Sequence, residues 1–187
     1  MQGSTVALTV ALLTSLGPAT IAASAEPPPA LSPDNPFAAP STLPYGLPPF
    51  DRIRDGDFMP AYQAGMAGQL AEVAAIVANP DPPTFENTVL ALESSGRLLD
   101  RVGHAFVNLN ASNADEAMRK LETELAPLLA AHQDAIHLNV RLFARLDILY
   151  QQRTQLHLDA ESLQLLLRQH KQMVLAGAKL PEAAKVR

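Results

Sequence analysis

The chain has no cysteine and no tryptophan. Disulfides and thiolate metal centres are therefore excluded. Aromatic residues make up only 5% of the 187 residues. No Lys or Arg precedes Arg52, so all 14 basic residues lie in residues 51–187. There they mix with every acid except Glu26 and Asp34, and no basic stripe emerges. With a net charge of −5, this argues against nucleic acid and against an anionic membrane surface as partner. No nucleophile elbow, P-loop or G-x-G-x-x-G occurs, and none of the five His is followed by Glu, so H-E-x-x-H is absent.

Long apolar runs are also scarce. The longest, Val6 to Leu16, is too short to span a bilayer as a stable helix. Gly17-Pro18 ends it, and Ala23-Ser24-Ala25 presents small residues where a signal peptidase reads them. Residues 1–25 are thus expected to be a secretory signal, cleaved after Ala25, with the mature chain in the periplasm. Met1-Gln2-Gly3-Ser4 lacks the basic residue such a signal normally carries. The alternative is an Ala/Thr-rich disordered tail.

Proline, by contrast, is plentiful. Residues 26–50 carry nine of the 16 prolines, from Pro27 to Pro49. No helix runs through such a stretch, and the backbone is expected to be extended. Phe37, Leu43, Tyr45, Leu47 and Phe50 put large apolar groups among the prolines, which a free spacer would not need. They predict an ordered arm lying on a helical body, with Tyr45 and Phe50 buried. The alternative is a proline-rich ligand for an adaptor domain, although no basic residue flanks these prolines.

From residue 51 the pattern is helical. Asp55 or Asp57 is placed to cap a first helix, with Pro60 in its first turn and a stripe of Phe58, Tyr62, Met66, Leu70, Val73 and Val77. Asn79-Pro80 stops it. Pro82-Pro83-Thr84-Phe85-Glu86-Asn87-Thr88 is the strongest local signal in the chain. Its two prolines end the preceding segment, Thr84 caps a new helix, and Glu86 sits where the helix dipole favours negative charge. Phe85, Val89, Leu92, Leu99, Phe106 and Leu109, with Gly96 and Gly103, predict one helix of about seven turns to about Asn110.

Asn113 with Glu116 three residues on predicts the cap of a third helix, burying Leu121, Leu125, Leu128 and Ile136 and kinked by Pro127 near Thr123–Ala126. Asn139 caps a fourth helix, with Leu142, Leu146, Leu149 and Tyr150 inward. Asp159 caps a fifth, with Leu163, Leu166, Leu167, His170 and Val174 inward and Gly177 at its C-terminus. Pro181 begins a sixth, and the chain stops one turn later, an ending that reads as a cut. The expectation is an all-α, antiparallel bundle of about five helices over 51–187, preceded by the proline-rich arm.

A metal site needs His and carboxylates at ligand spacing. His104, His132, His137, His157 and His170 include no pair three or four apart. They read as surface or interface histidines. Glu122 and Glu124, two apart, face different sides of their helix. Glu72, Glu86 and Glu93 read as surface acids. From its own residues the chain offers no catalytic, cofactor-binding or metal-binding residue.

Three stretches of the arm, Asn35-Pro36-Phe37, Pro40-Ser41-Thr42-Leu43-Pro44-Tyr45 and Pro48-Pro49-Phe50-Asp51, resemble the opening of bacterial peptidyl-dipeptidases. These belong to the M3, thimet oligopeptidase-like family of zinc metallopeptidases. Pro82 to Thr88 looks like that family's strongest N-terminal signature. Ala130-Ala131-His132 and Ala176-Gly177-Ala178-Lys179-Leu180 come next in matching order, so the resemblance covers about residues 35–187.

The resemblance implies an almost all-helical enzyme with a deep channel between two halves. Zinc is held there by an H-E-x-x-H helix and a later Glu, and the enzyme removes C-terminal dipeptides from oligopeptides. Because H-E-x-x-H is absent, it also implies that this chain is the N-terminal wall of the channel. The catalytic zinc domain would be missing, and the chain alone would bind zinc weakly if at all and hydrolyse no peptide. The alternative is a stand-alone helical module that binds peptides or a partner without cutting them.

Overall fold

The computed structural model describes residues 30–113 and 115–180. The expected signal segment, its cleavage after Ala25 and the helix beginning at Pro181 lie outside the described residues. Among the described residues there is no strand, and the fold is an all-α antiparallel bundle preceded by a proline-rich arm. Its elements are α1 (Asp55–Ala78), the single-turn α2 (Ala91–Glu93), α3 (Arg97–Asn113), α4 (Glu116–His137), α5 (Val140–Gln151) and α6 (Ala160–Ala176). A wide π-helical turn, Phe85–Leu90, leads into α2.

The arm is anchored by Asn35-Pro36-Phe37. The Asn35 amide donates to the Asp57 carbonyl at 2.9 Å, its oxygen accepts the Phe37 N–H at 2.9 Å, and Arg101 on α3 reaches the Phe37 carbonyl. Phe37, only 3% exposed, lies 5.5 Å from the Phe58 ring, which meets Phe106 edge-on at 5.2 Å. The expectation for the other aromatics of the arm is corrected. Tyr45 is fully exposed, and Phe50 is 40% exposed. Pro44–Gly46 forms a 3₁₀ turn with Tyr45 at φ 59°, which turns its side chain outward. One buried ring and one buried amide seat the arm, and its described backbone is not extended throughout, as expected, but folds into hydrogen-bonded turns around Asn35 and at Pro44–Gly46.

The start of α1 differs in detail. Arg54 takes the cap position, and the Asp57 carboxylate accepts the Arg54 N–H at 2.8 Å from inside the first turn. The Thr84 cap forms as expected: its hydroxyl accepts the Asn87 N–H at 3.1 Å, and Asn87 returns the bond to the Thr84 N–H at 2.8 Å. This is a capping box with Asn where Glu or Gln is usual.

The helix beyond Thr84 does not run seven turns. It breaks at Ser94-Ser95-Gly96, where Gly96 takes φ +78°. L side chains rarely adopt that conformation, and a Cβ there would stand 2.5 Å from Gln69 Nε2. The Gly96 N–H donates to the Glu72 carboxylate of α1 at 2.7 Å, which holds the break in place. The chain then restarts as α3, against which α1 makes its most extensive packing. At Gly65 a Cβ would lie 3.0 Å from the Leu99 backbone, so this crossing needs glycine for space.

Two further corrections concern α4, its cap and the side that Leu128 faces. Its cap is Asp115, whose carboxylate accepts the Met118 N–H at 2.9 Å, and Asn113 belongs to α3. Pro127 lies inside α4, which continues through it. The proline faces solvent, where the unserved Thr123 carbonyl is open to hydration. Leu128 is 40% exposed and Leu129 takes the inward position. Asn139 and Asp159 cap α5 and α6, and Gly177 ends α6 at φ +103°, all as expected.

The apolar residues divide into two cores. One gathers Phe37, Phe58, Tyr62, Val102, Phe106, Met118 and Leu125. The other gathers Val73, Ile76, Val89, Ile136, Leu142, Leu146, Leu149, Leu166 and Met173. Helices α1 and α4 run through both, so each must cross from one core to the other. The residues at the crossing are polar.

Candidate functional site

At that crossing Gln69 of α1 faces His132 of α4. Their hydrogen-bond directions are set by a chain of donors. The Ser95 hydroxyl donates to the Leu92 carbonyl at 2.7 Å. Its oxygen is then free to accept Gln69 Nε2 at 3.2 Å, which leaves Gln69 Oε1 as an acceptor. His132 Nε2 lies 2.7 Å from that oxygen and must carry the proton that bonds it. Only 6% of His132 is exposed, and burial pushes its pKa below the ordinary histidine value. The neutral ring then bears a bare lone pair on Nδ1. Among the described residues that atom, though buried, has no partner.

A second polar group converges from α6. Gln169 Nε2 donates to the Val89 carbonyl at 3.2 Å and to Glu93 Oε2 at 3.1 Å. Turning the amide over would set its oxygen against two acceptors, so the orientation is determined. Gln169 Oε1 is left as a second buried acceptor without a partner among the described residues. Gln169 itself is 5% exposed. Beside it Arg168 Nη2 holds both oxygens of Glu93, at 2.8 and 2.9 Å. Leaving a buried acceptor unpaired costs about 1–3 kcal/mol, so two in one place call for a reason.

His132, Gln169, Gln69 and Ser95 all line one cleft of about 380 Å³. Leu99, Leu129, Ile136 and Met173 form its apolar wall, and Asp100, Gln133, His137 and Gln172 are the remaining polar residues around it. Of the charged groups, Glu93 and Arg168 neutralise each other. Asp100 has no ion pair among the described residues.

A second polar cluster lies at the α5–α6 contact. His170 is buried, its Nε2 is 2.8 Å from Asp147 Oδ1, and its ring stacks on Tyr150 at 3.9 Å. Arg153 covers the same Tyr150 ring, and Lys179 stands 3.9 Å from Asp147. The bond from His170 holds the Asp147 carboxyl below the usual carboxylate range. Ring stacking and the hydrogen bond to Asp147 occupy this histidine, so it joins α5 to α6.

Over 153 residues the sequence is 44% identical to dipeptidyl carboxypeptidase of Escherichia coli, and it is 44% identical over the same length to that of Salmonella typhimurium. The aligned stretch is 82% of this chain. The chain is similar to one part of these dipeptidyl carboxypeptidases. It spans only 22% of the length of either relative, and the likeness is to their N-terminal region. No family model matches the chain.

Against the dipeptidyl carboxypeptidase likeness, the histidines can be placed one by one. His104 and His157 are exposed, His137 is half-buried at the cleft, and His132 and His170 are buried. His170 is inward on α6 as expected, whereas His132, read as a surface or interface histidine, is buried on the inner face of α4. Among the described residues no three His, Cys, Asp or Glu come together as metal ligands. Glu122 and Glu124 are exposed, bonded to Asn110 and Lys120. Glu86 is exposed. Glu72 and Glu93 each have a structural partner, Gly96 and Arg168.

Gln69, Ser95 and Gln169 do not stand out in the sequence. Their signal is a polar residue inside an apolar row. Tyr62, Met66, Gln69, Val73 and Ile76 step by three or four, whereas the expected stripe passes through Leu70, which is 38% exposed.

Proposed function

We propose that the chain is the N-terminal wall of the substrate channel in a zinc-dependent peptidyl-dipeptidase of the M3 family. The complete enzyme would take oligopeptides and release C-terminal dipeptides. The observation that carries this reading is the 44% identity over 153 residues to two dipeptidyl carboxypeptidases. The ordered motifs Asn35-Pro36-Phe37 and Pro82 to Thr88 support it. So does the way the fold uses them, one to seat the arm and the other to open the second half of the bundle.

The residues of this chain do not fit the catalytic zinc. His132 Nε2 is engaged by Gln69, and no third ligand stands near His132 and His137 among the described residues. No step of hydrolysis is therefore assigned to any of them. In this reading the zinc, its general base and the opposite channel wall come from a polypeptide region outside residues 1–187. We further propose export to the periplasm with cleavage after Ala25, an arm over 26–50 and a helical domain from residue 51.

The test begins with the coding sequence beyond Arg187, read in every frame for H-E-x-x-H. The longer product is then assayed with unblocked and C-terminally blocked short peptides. Chelator-sensitive release of C-terminal dipeptides from the longer product, with none from residues 1–187 plus zinc, is the expected result. Chelator-sensitive release by residues 1–187 alone would overturn the division of labour. No such motif downstream would leave the non-catalytic binding module as the better account.

A further inference from the structure

We propose that the hollow between the arm and α3 is a binding site for a carboxylate, carried by an acidic side chain of a peptide or by a free short-chain acid. Pro36, Phe37, Pro48 and Pro49 give the hollow an apolar wall, and Arg101, His104 and Ser41 are its polar side chains. No acid lines it among the described residues. Arg101 carries the argument. It is half-buried and forms no ion pair among the described residues. Its hydrogen bond runs from Nη2 to the Phe37 carbonyl at 3.3 Å. Nε is enclosed and takes no part, whereas Nη1 has neither a partner among the described residues nor full burial, so it is reachable from outside. A guanidinium drawn partly out of water without a counter-ion is unfavourable, and an anion set against it relieves that cost.

The other two polar residues add donors. His104 lies three residues beyond Arg101 and shares its face of α3. It is exposed, and its ring has no hydrogen-bond partner among the described residues. The Ser41 oxygen accepts the Leu43 N–H at 3.2 Å, which leaves its own proton to donate. A cation entering the hollow would meet the Arg101 charge unopposed. Size and wall then choose among anions. A volume of about 150 Å³ admits a carboxylate with a short alkyl stem, and the prolines and Phe37 suit that stem. The guanidinium fork matches a planar carboxylate. A phosphate brings more charge and more acceptors than these donors satisfy. The adjoining hollow, which shares Pro36, Ser41 and Pro49, bears Asp51 and Arg52, opposite in sign.

The inference does not depend on the channel reading, and its test involves no peptide hydrolysis. Failure of one therefore leaves the other standing. Residues 1–187, labelled with ¹⁵N, are titrated at constant ionic strength with four probes: butyrate, butyramide, N-acetylglutamic acid amide and inorganic phosphate. The expected result is saturable movement of the Arg101 side-chain and Ser41 amide signals with both carboxylates, at millimolar affinity. Butyramide, equal in shape but uncharged, should bind at least ~10-fold more weakly. Preference for the glutamic acid derivative over butyrate identifies an acidic side chain as the source, and the reverse identifies a free acid.

His104→Ala, at an exposed position on α3, should weaken butyrate binding about two- to five-fold and leave the unfolding midpoint unchanged. Arg101→Gln should abolish binding, but it also removes the bond to the Phe37 carbonyl and risks unseating the arm. The deciding readout is therefore the Arg101 guanidinium signal in the unaltered protein, which should move on saturation with butyrate. Equal binding of butyramide, tighter binding of phosphate, or an unmoved guanidinium signal would each overturn the proposal. So would the absence of saturable binding by both carboxylates, or undiminished binding by His104→Ala.

Discussion

Arg145 on α5 is the residue whose loss should most affect the Pro82–Thr88 turn. Its guanidinium donates from three nitrogens: Nε to Thr88 Oγ1 at 3.3 Å, Nη1 to the Asn79 and Asp81 carbonyls at 3.0 and 3.3 Å, and Nη2 to Asn87 Oδ1 at 3.0 Å. Asn87 Oδ1 also accepts from Thr84 N–H and the Thr88 hydroxyl, both at 2.8 Å. One side chain thus joins the end of α1, the turn and α5. Arg145→Met keeps the stem and removes all four bonds.

Taking ~1 kcal/mol for each of the two shorter bonds and ~0.5 for each of the two longer, half-exposed ones gives a loss of about 3 kcal/mol. In a chain of this size that lowers the thermal midpoint by about 6–12 °C. Arg145→Lys should recover little, because one ammonium cannot serve three directions. Urea unfolding of the single variants, Thr88→Val and the double variant would measure the coupling directly. A loss below ~0.5 kcal/mol in Arg145→Met, or strict additivity with Thr88→Val, would refute the reasoning.

In the arm, Phe37→Ala should destabilise by ~3 kcal/mol or more in urea unfolding, while Tyr45→Ala stays within ~0.5, because only the first ring is buried. Equal effects would mean the arm is seated differently. Gly96→Ala should cost at least ~1 kcal/mol from its left-handed backbone and displace Gln69, visible as a shifted His132 ring signal. An unmoved ring signal would remove Gly96 from the account of the cleft. Stability should also depend on pH through His132. Its folded pKa is lowered by burial, so the unfolded chain binds the proton more readily; stability is full above the ordinary value of 6.5 and falls as pH drops through the window below it. Comparing urea midpoints at about pH 7.5 and pH 5 for the parent and His132→Leu checks the sign, and an equal drop in both would locate the effect elsewhere. The Asp147 carboxyl, held low by His170, should contribute stability above the ordinary value of 3.8 that is lost as pH falls below it, and Asp147→Asn should flatten that acid limb.

The range of each interaction decides how legible it is in the sequence. Thr84, Asn139, Asp159 and Gly177 are legible as helix ends because a cap is satisfied within three residues of itself. The all-helical class is carried by apolar periodicity, and the likeness to peptidyl-dipeptidases by ordered motifs. Asp115 displaces Asn113 as a cap, and Arg54 stands where an aspartate is expected. These are shifts of one to three positions among residues with nearly equal local claims.

Tertiary structure decided whatever depends on distant partners. Gly96 fits a helical row by spacing, and it became a break because Glu72 accepts its N–H and Gln69 packs where a Cβ would be. Tyr45 and Phe50 were as apolar as Phe37, yet only Phe37 met a place beside Phe58. His132 and Gln69 are 63 residues apart, and nothing in the local pattern of either helix says they will meet. Periodicity records which face of a helix is buried and is silent about which other helix covers it. The division into two cores, the polar crossing between them and the cleft beside it therefore emerged only when α1, α4 and α6 were set against one another.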